Sequence, residues 1–342
     1  MSVTLPKQLE ALGDRVFNDC YRLAEIINLS NVNLSNITID SATMGIESHV
    51  VRIATSGTSQ ITTAGDFKFV TGNDGIDYLI GYFGEATTDI VLPTTTNAYK
   101  IKNYAFAENV DLISLTISTS VSVVGSNVFN NCYHLSEIIN LANIDLTNKH
   151  SAVRVATSGT SAVQTKDDFK YVLGDDGKTY LIGYFGNKSF KNGEVTLPQS
   201  SYNWIKANAF RGVDMPETLI IPDCVEGIGA CAFAYGENDM KTVVVPDSVK
   251  YLGNDAFSSK SLFFDGVYNL VIGSGILEMG SVVCDGTLTI KATVPPKAPS
   301  TIFTWTDGGT ASKIYVPKES VEAYKTAENW SQYADIIFAI ED

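Results

Sequence analysis

Apolar and polar residues alternate along this chain in short bursts of strand length. "TLIIP" (218–222) and "TVVVP" (242–246) are β-branched runs, each closed by a proline. Such residues suit a strand, and proline ends it because it cannot donate to the ladder. Beyond each proline the apolar pattern resumes. "LIIPDCVEGIGACAF" (219–233) and "VVVPDSVKYLGNDAF" (243–257) both run through valine, an apolar residue and glycine to phenylalanine. "VTLPKQLEALGDRVF" (3–17) is a third version, and "LTISTSVSVVGSNVF" (115–129) a fourth, with Ser118 in the proline's place. Gly13, Gly125, Gly229 and Gly253 precede Phe17, Phe129, Phe233 and Phe257, whereas Phe106 and Phe210 have Lys102 and Lys206 at that position.

Phe106 to Phe129 and Phe210 to Phe233 are each 23 residues apart, and Phe233 to Phe257 is 24. A period in the twenties with apolar residues at fixed phases predicts a solenoid, whose turns bury their inner faces only against neighbouring turns. In each turn the glycine is expected to permit a bend. The phenylalanine should fill the interior, so that Phe17, Phe106, Phe129, Phe210, Phe233 and Phe257 form one buried column.

A longer repeat overlies the short one. "LAEIINLSNVNLSN" returns as "LSEIINLANIDLTN", "ATSGTS" (54–59) returns at 156–161, and "FKFVTGNDGIDYLIGYFG" returns as "FKYVLGDDGKTYLIGYFG". Asp74-Gly75 and Asp176-Gly177 between apolar runs predict tight hairpins, because such turns need positive φ. The first copy carries ten extra residues before Arg52. An enlarged module has therefore been duplicated. ATSGTS is expected to serve loop geometry, with Gly57 and Gly159 at positive φ and hydroxyls meeting local amides.

The unit pattern resembles the BspA-like leucine-rich repeats, and the tail "IYVPKESVEAYKTAENWSQYADIIFAI" is similar to the closing unit of such proteins. The resemblance implies a mostly β, right-handed leucine-rich-repeat solenoid with turns of about 23 residues. Two enlarged, hairpin-bearing modules and a short C-terminal capping helix complete it. Residues 1–342 are read as a single solenoid: a first long module at 18–129, a second at 130–233, shorter and irregular turns at 234–290, and a cap at 291–342. Val321, Tyr324, Ala327 and Trp330 should share one face of the capping helix. A coil starting at residue 3 with no cap before it is expected to have lost upstream sequence. With the resemblance, that implies an extracellular or cell-surface protein whose leader is absent from this chain.

Composition narrows the function. Twenty-four Lys and Arg stand against 38 Asp and Glu, a net charge of −14, which disfavours nucleic acid and anionic membranes. No apolar stretch is long enough to span a membrane. Cys20, Cys132, Cys224, Cys231 and Cys284 contain no C-x-x-C and are expected to be free thiols acting as small apolar residues. His49, His134 and His150 fall in no catalytic motif. Most acids recur at repeat positions, as Asp223 and Asp247 do, and turn chemistry accounts for them. Asp265, Glu278 and Asp285, in the poorly matched stretch 258–286, are the exceptions that a glycan-cleaving site would draw on. "GNDGIDY" and "GDDGKTY" lack the alternating oxygen ligands of a calcium loop. The aromatics of "GYFG" (81–84 and 183–186) have the chemistry to stack on sugars but are expected to pack.

No catalytic, metal or cofactor-binding residue is therefore assigned, and no binding residue. The expected function is adhesion or macromolecular recognition without catalysis, its ligand a protein or a glycan. Carbohydrate capture is the alternative, and glycan degradation a more distant one. No residue pattern specifies an oligomeric state.

Overall fold

The computed structural model describes residues 1–13, 16–17, 19–34, 38–39, 44–45, 50–147, 149–236, 240–258, 267–304 and 313–341. The chain is a mostly β solenoid of about 13 turns spaced about 23 residues apart. It divides into two compact units, Met1–Ser161 and Ala162–Asp342.

In the second unit successive coils lay strands into two sheets. Thr218–Ile220, Thr242–Val245, Val267–Ile272, Cys284–Ile290, Lys313–Val316 and Ile337–Ala339 form a parallel sheet. Its register aligns Leu219, Val243, Leu270, Leu288, Ile314 and Ile337, all buried. The other sheet joins Thr179–Tyr184, Trp204–Ile205, Gly227–Ile228, Tyr251–Leu252 and Glu278–Met279 in parallel, aligning the buried Leu181, Ile205, Ile228, Leu252 and Met279. Because strand side chains alternate between faces, the residue before each of these points outward. The irregular stretch thus contributes strands to both sheets, although 259–266 lies outside the described residues.

The predicted hairpins form in both units. Phe67–Thr71 runs antiparallel to Asp77–Tyr82, and Phe169–Leu173 to Thr179–Tyr184, with Gly75 and Gly177 at φ +76° and +79°. A third strand, Thr62–Ala64 or Gln164–Lys166, extends each hairpin. It is fully exposed and so leaves no apolar alternation to read.

The phenylalanines are buried, but not as one column. Phe106 stacks on Phe129 at 6.2 Å in the first unit. Phe210, Phe233 and Phe257 stack at 5.1 and 5.6 Å in the second. Phe17 belongs instead to a separate cluster with Leu5, Leu23, Ile26 and Val50. The repeat glycines also differ from expectation. Gly229 and Gly253 need no positive φ; a Cβ there would strike the backbone of the preceding coil, at Ala207 and Ala230. At these two positions close coil approach, not a bend, selects glycine, whereas Gly13 has open space at its Cβ position.

At the C-terminus the capping helix is shorter than its apolar spacing implied. It spans Val321–Thr326 and ends where Ala327 turns extended, so Trp330 lies beyond it. Tyr324 and Trp330 still meet edge to face at 5.2 Å, both buried. The Trp330 indole N–H donates to the Pro296 carbonyl (2.9 Å) and the Tyr324 hydroxyl to the Ala292 carbonyl (3.0 Å). The run "IIFAI" then supplies the last strand, Ile337–Ala339.

Candidate functional site

ATSGTS surrounds a buried acid. Glu25 opens the strand Glu25–Asn28, is fully buried, and pairs with Arg52 on the neighbouring strand Arg52–Ala54. From there the loop turns at Gly57, φ +89°, and brings the Gln60 amide to donate to the Glu25 carboxylate at 3.0 Å. Burial alone would raise the Glu25 pKa, but the Ser59 hydroxyl, the Gln60 amide, the Ser2 hydroxyl and Arg52 outweigh it and hold it below the usual range. In the second copy Glu137 is likewise buried, pairs with Arg154, and accepts from the Ser114 hydroxyl at 3.0 Å, while Gly159 sits at φ +91°. In both copies the buried carboxylate pairs with the arginine that leads into the loop.

Lys102 and Lys206 were not anticipated as buried groups. Each is all but fully buried beneath its coil, and the Lys102 ammonium donates to the Tyr21 and Asn103 carbonyls at 2.7 and 2.8 Å. Desolvation pushes Lys102 down to about 7 and Lys206 down to about 8. Their aliphatic stems fill the interior as apolar residues would.

The residues with candidate chemistry do not converge. His134 Nδ1 lies 2.7 Å from the Val110 carbonyl, and His150 Nδ1 accepts from the Ala152 amide at 3.1 Å. His49 and Asp265 lie outside the described residues. Glu278 is half exposed and pairs with Lys297 at 3.4 Å. Asp285 is on the strand Cys284–Ile290, facing away from its buried neighbours Cys284 and Gly286. Among the described residues no three His, Cys, Asp or Glu side chains group so as to hold a metal, and no helix is long and apolar enough to cross a membrane. All five cysteines are unpaired, with burial pushing Cys132 up to about 12 and Cys284 up to about 11.

The GYFG aromatics pack. Tyr82 meets Phe67 at 5.4 Å, and Tyr184 meets Phe169 and Phe190 at 4.9 and 5.4 Å. Other rings face outward. The register of the second unit sets Tyr180, Trp204, Gly227, Tyr251, Glu278 and Lys297 in one row across successive coils. The Trp204 ring leans over Gly227, occupying the space that a Cβ there would need. It reaches Tyr251 at 5.7 Å with near-parallel planes, and the Lys178 ammonium sits 4.0 Å over it. Beside this row is an open groove of about 550 Å³, walled by Trp204 and Tyr251, floored by Gly229, Gly253 and Gly280, and closed by Glu278 and Lys297. Tyr251 is 41% exposed. Comparing the module copies residue by residue would have disclosed this site, since Trp204 and Gly227 stand where the first copy has Lys100 and Val123.

The sequence pattern of the BspA type leucine rich repeat region matches six times, over residues 1–48, 82–152 and 182–298. The chain belongs to this family. The two internal stretches left unmatched, 49–81 and 153–181, hold the ATSGTS loops and most of the hairpins, and the C-terminal stretch 299–342 is unmatched as well. No protein of curated function is detectably similar in sequence. Among solved structures, a leucine rich cell surface protein from Faecalibacterium prausnitzii A2-165 is 15% identical, covering 83% of this chain and 95% of its own, with TM-score 0.34. A leucine-rich repeat protein from Bacteroides ovatus ATCC 8483 is 18% identical over 75% of this chain and 70% of its own, with TM-score 0.22. The pneumococcal vaccine antigen PcpA is 14% identical over 100% of this chain and 79% of its own, with TM-score 0.29.

Proposed function

We propose that this chain is an exported, non-enzymatic recognition protein that attaches its parent cell to a macromolecular surface. Family membership supports a binding role at the cell surface. The observation that carries the reading is the outward row at Trp204 and Tyr251, where an exposed tyrosine and a half-buried tryptophan border an open groove. Large aromatics at a solvent face supply most of the contact energy in recognition surfaces, and a solenoid offers them in register over a broad area.

Fluorescently labelled protein incubated with bacterial cells, epithelial cells and immobilised matrix proteins tests the reading. Saturable binding to at least one of these surfaces is expected, with no reducing sugar released from a polysaccharide panel. Absence of binding to every surface, or catalytic turnover of a polysaccharide, overturns it.

A further inference from the structure

We infer that the Trp204–Tyr251 groove binds a neutral polysaccharide, an extended chain of hexopyranose units laid across successive coils. This rests on the recognition role proposed above and names its ligand. The Trp204 ring reaches across Gly227 to the Tyr251 ring, and the 41% exposed Tyr251 with the partly exposed Trp204 offers an apolar surface on which sugar C–H groups pack. A groove of about 550 Å³ lies within the range of small-ligand sites.

The backbone argues against a peptide strand as occupant. Trp204–Ile205, Gly227–Ile228 and Tyr251–Leu252 are each paired on both sides, so the groove presents no free strand edge for another strand to join. Charge argues against a polyanion. Around the row Asp176 pairs with Lys178 at 2.8 Å, Glu226 with Lys250 at 3.3 Å and Glu278 with Lys297 at 3.4 Å, which leaves the rim without net charge. The whole chain, at −14, repels anions.

A neutral sugar suits what is left. Its hydroxyls donate to the carboxylates and accept from the ammonium groups, and exposed ion pairs of this kind are weak enough to open for a ligand. Strand spacing supplies the repeat: neighbouring coils stand about 4.8 Å apart, close to the advance of one sugar in an extended β-linked chain.

The first unit provides an internal control. Its corresponding row is Tyr78, Lys100 and Val123, without a second ring.

The test is affinity electrophoresis of the intact chain through gels containing hydroxyethyl cellulose, xylan, galactomannan or mixed-linkage β-glucan. Titration with the matching hexasaccharide follows. At least one neutral polysaccharide should retard the protein, and the retardation should persist at high salt. Trp204→Ala and Tyr251→Ala should each weaken binding at least tenfold, whereas Tyr78→Ala should leave it unchanged. Trp204→Lys, which imports the other copy's residue, should also lose binding while the thermal unfolding of the chain guards against misfolding. No retardation by any of the four polymers, or equal retardation of all variants, overturns the inference. Attachment to surfaces that survives periodate oxidation of their glycans and the Trp204 substitutions also overturns it, while leaving the recognition role standing.

Discussion

In the first module Tyr78, Lys100 and Val123 stand side by side on the outer face of their sheet; in the second the same places hold Tyr180, Trp204 and Gly227. Beneath these rows little has changed. Both modules bury a glutamate against an arginine, both bury a lysine where other coils have glycine, and both turn at Asp-Gly. In both a tyrosine hydroxyl donates to the turn aspartate, Tyr78 to Asp74 and Tyr180 to Asp176, each at 2.8 Å. Even the missing cation is replaced. Lys100 reaches Asp74 at 3.4 Å in the first copy, and with tryptophan in its place Lys178, standing where the first copy has Ile76, meets Asp176 at 2.8 Å. Packing holds the inner residues fixed, and the outward row is where a duplicate is free to acquire a new surface.

If the interiors are equivalent, matched substitutions must have matched effects. Arg52→Ala and Arg154→Ala each leave a buried carboxylate without its partner and should cost about 3–5 kcal/mol in denaturant unfolding. A loss in only one module would break the equivalence. Phe233→Ala, which removes a ring stacked on both faces, should cost roughly 3–5 kcal/mol. Phe129→Ala, with one ring neighbour recorded, should fall at the lower end of that range.

On the outer row the copies must respond differently. Gly227→Val should cost about 1–3 kcal/mol by overpacking and change the tryptophan emission as the Trp204 ring is displaced. Val123→Gly should cost only about 0.5–1 kcal/mol, from chain entropy. Lys100→Trp in the first module should be tolerated better when Val123→Gly accompanies it, which a double-mutant cycle reads directly.

One effect is a slope rather than a single loss. Burial lowers Lys102 from 10.5 to about 7. Above that value the unfolded chain holds a proton that the folded chain has released, so stability rises with pH. The burial penalty is full only below it. Lys102→Met should remove a rise of at most about 1.4 kcal/mol per pH unit between about pH 7 and 8.5. An unchanged slope would show that the ammonium is not desolvated as its surroundings require.

The coil period, the hairpin turns and the duplication were all legible because each leaves residues at fixed spacing. Glu25 and Glu137 were not, since an acid among apolar residues reads as an exposed position until the loop that encloses it is seen. The buried lysines escaped for a similar reason: a long stem serves as core while its charge suggests solvent. The GYFG rings drew attention as sugar platforms, yet Phe67, Phe169 and Phe190 cover their tyrosines. Trp204, alone in its run, gave no periodic signal. The helix at 321–326 was overextended because Ala327 and Trp330 keep a helical spacing that the chain does not follow.

Gly227 also constrains the history of the molecule. A side chain there and the Trp204 ring claim the same space, so the two positions could not have changed in arbitrary order. Starting from a copy with lysine and valine, tryptophan arriving first meets an occupied site and is penalised. Glycine arriving first merely loosens a strand and waits. The permissive step therefore precedes the consequential one, and relatives carrying glycine with a residue other than tryptophan at the neighbouring place are the intermediates to look for. Reversal is penalised in the same way, because once the ring is seated any return to valine must dislodge it.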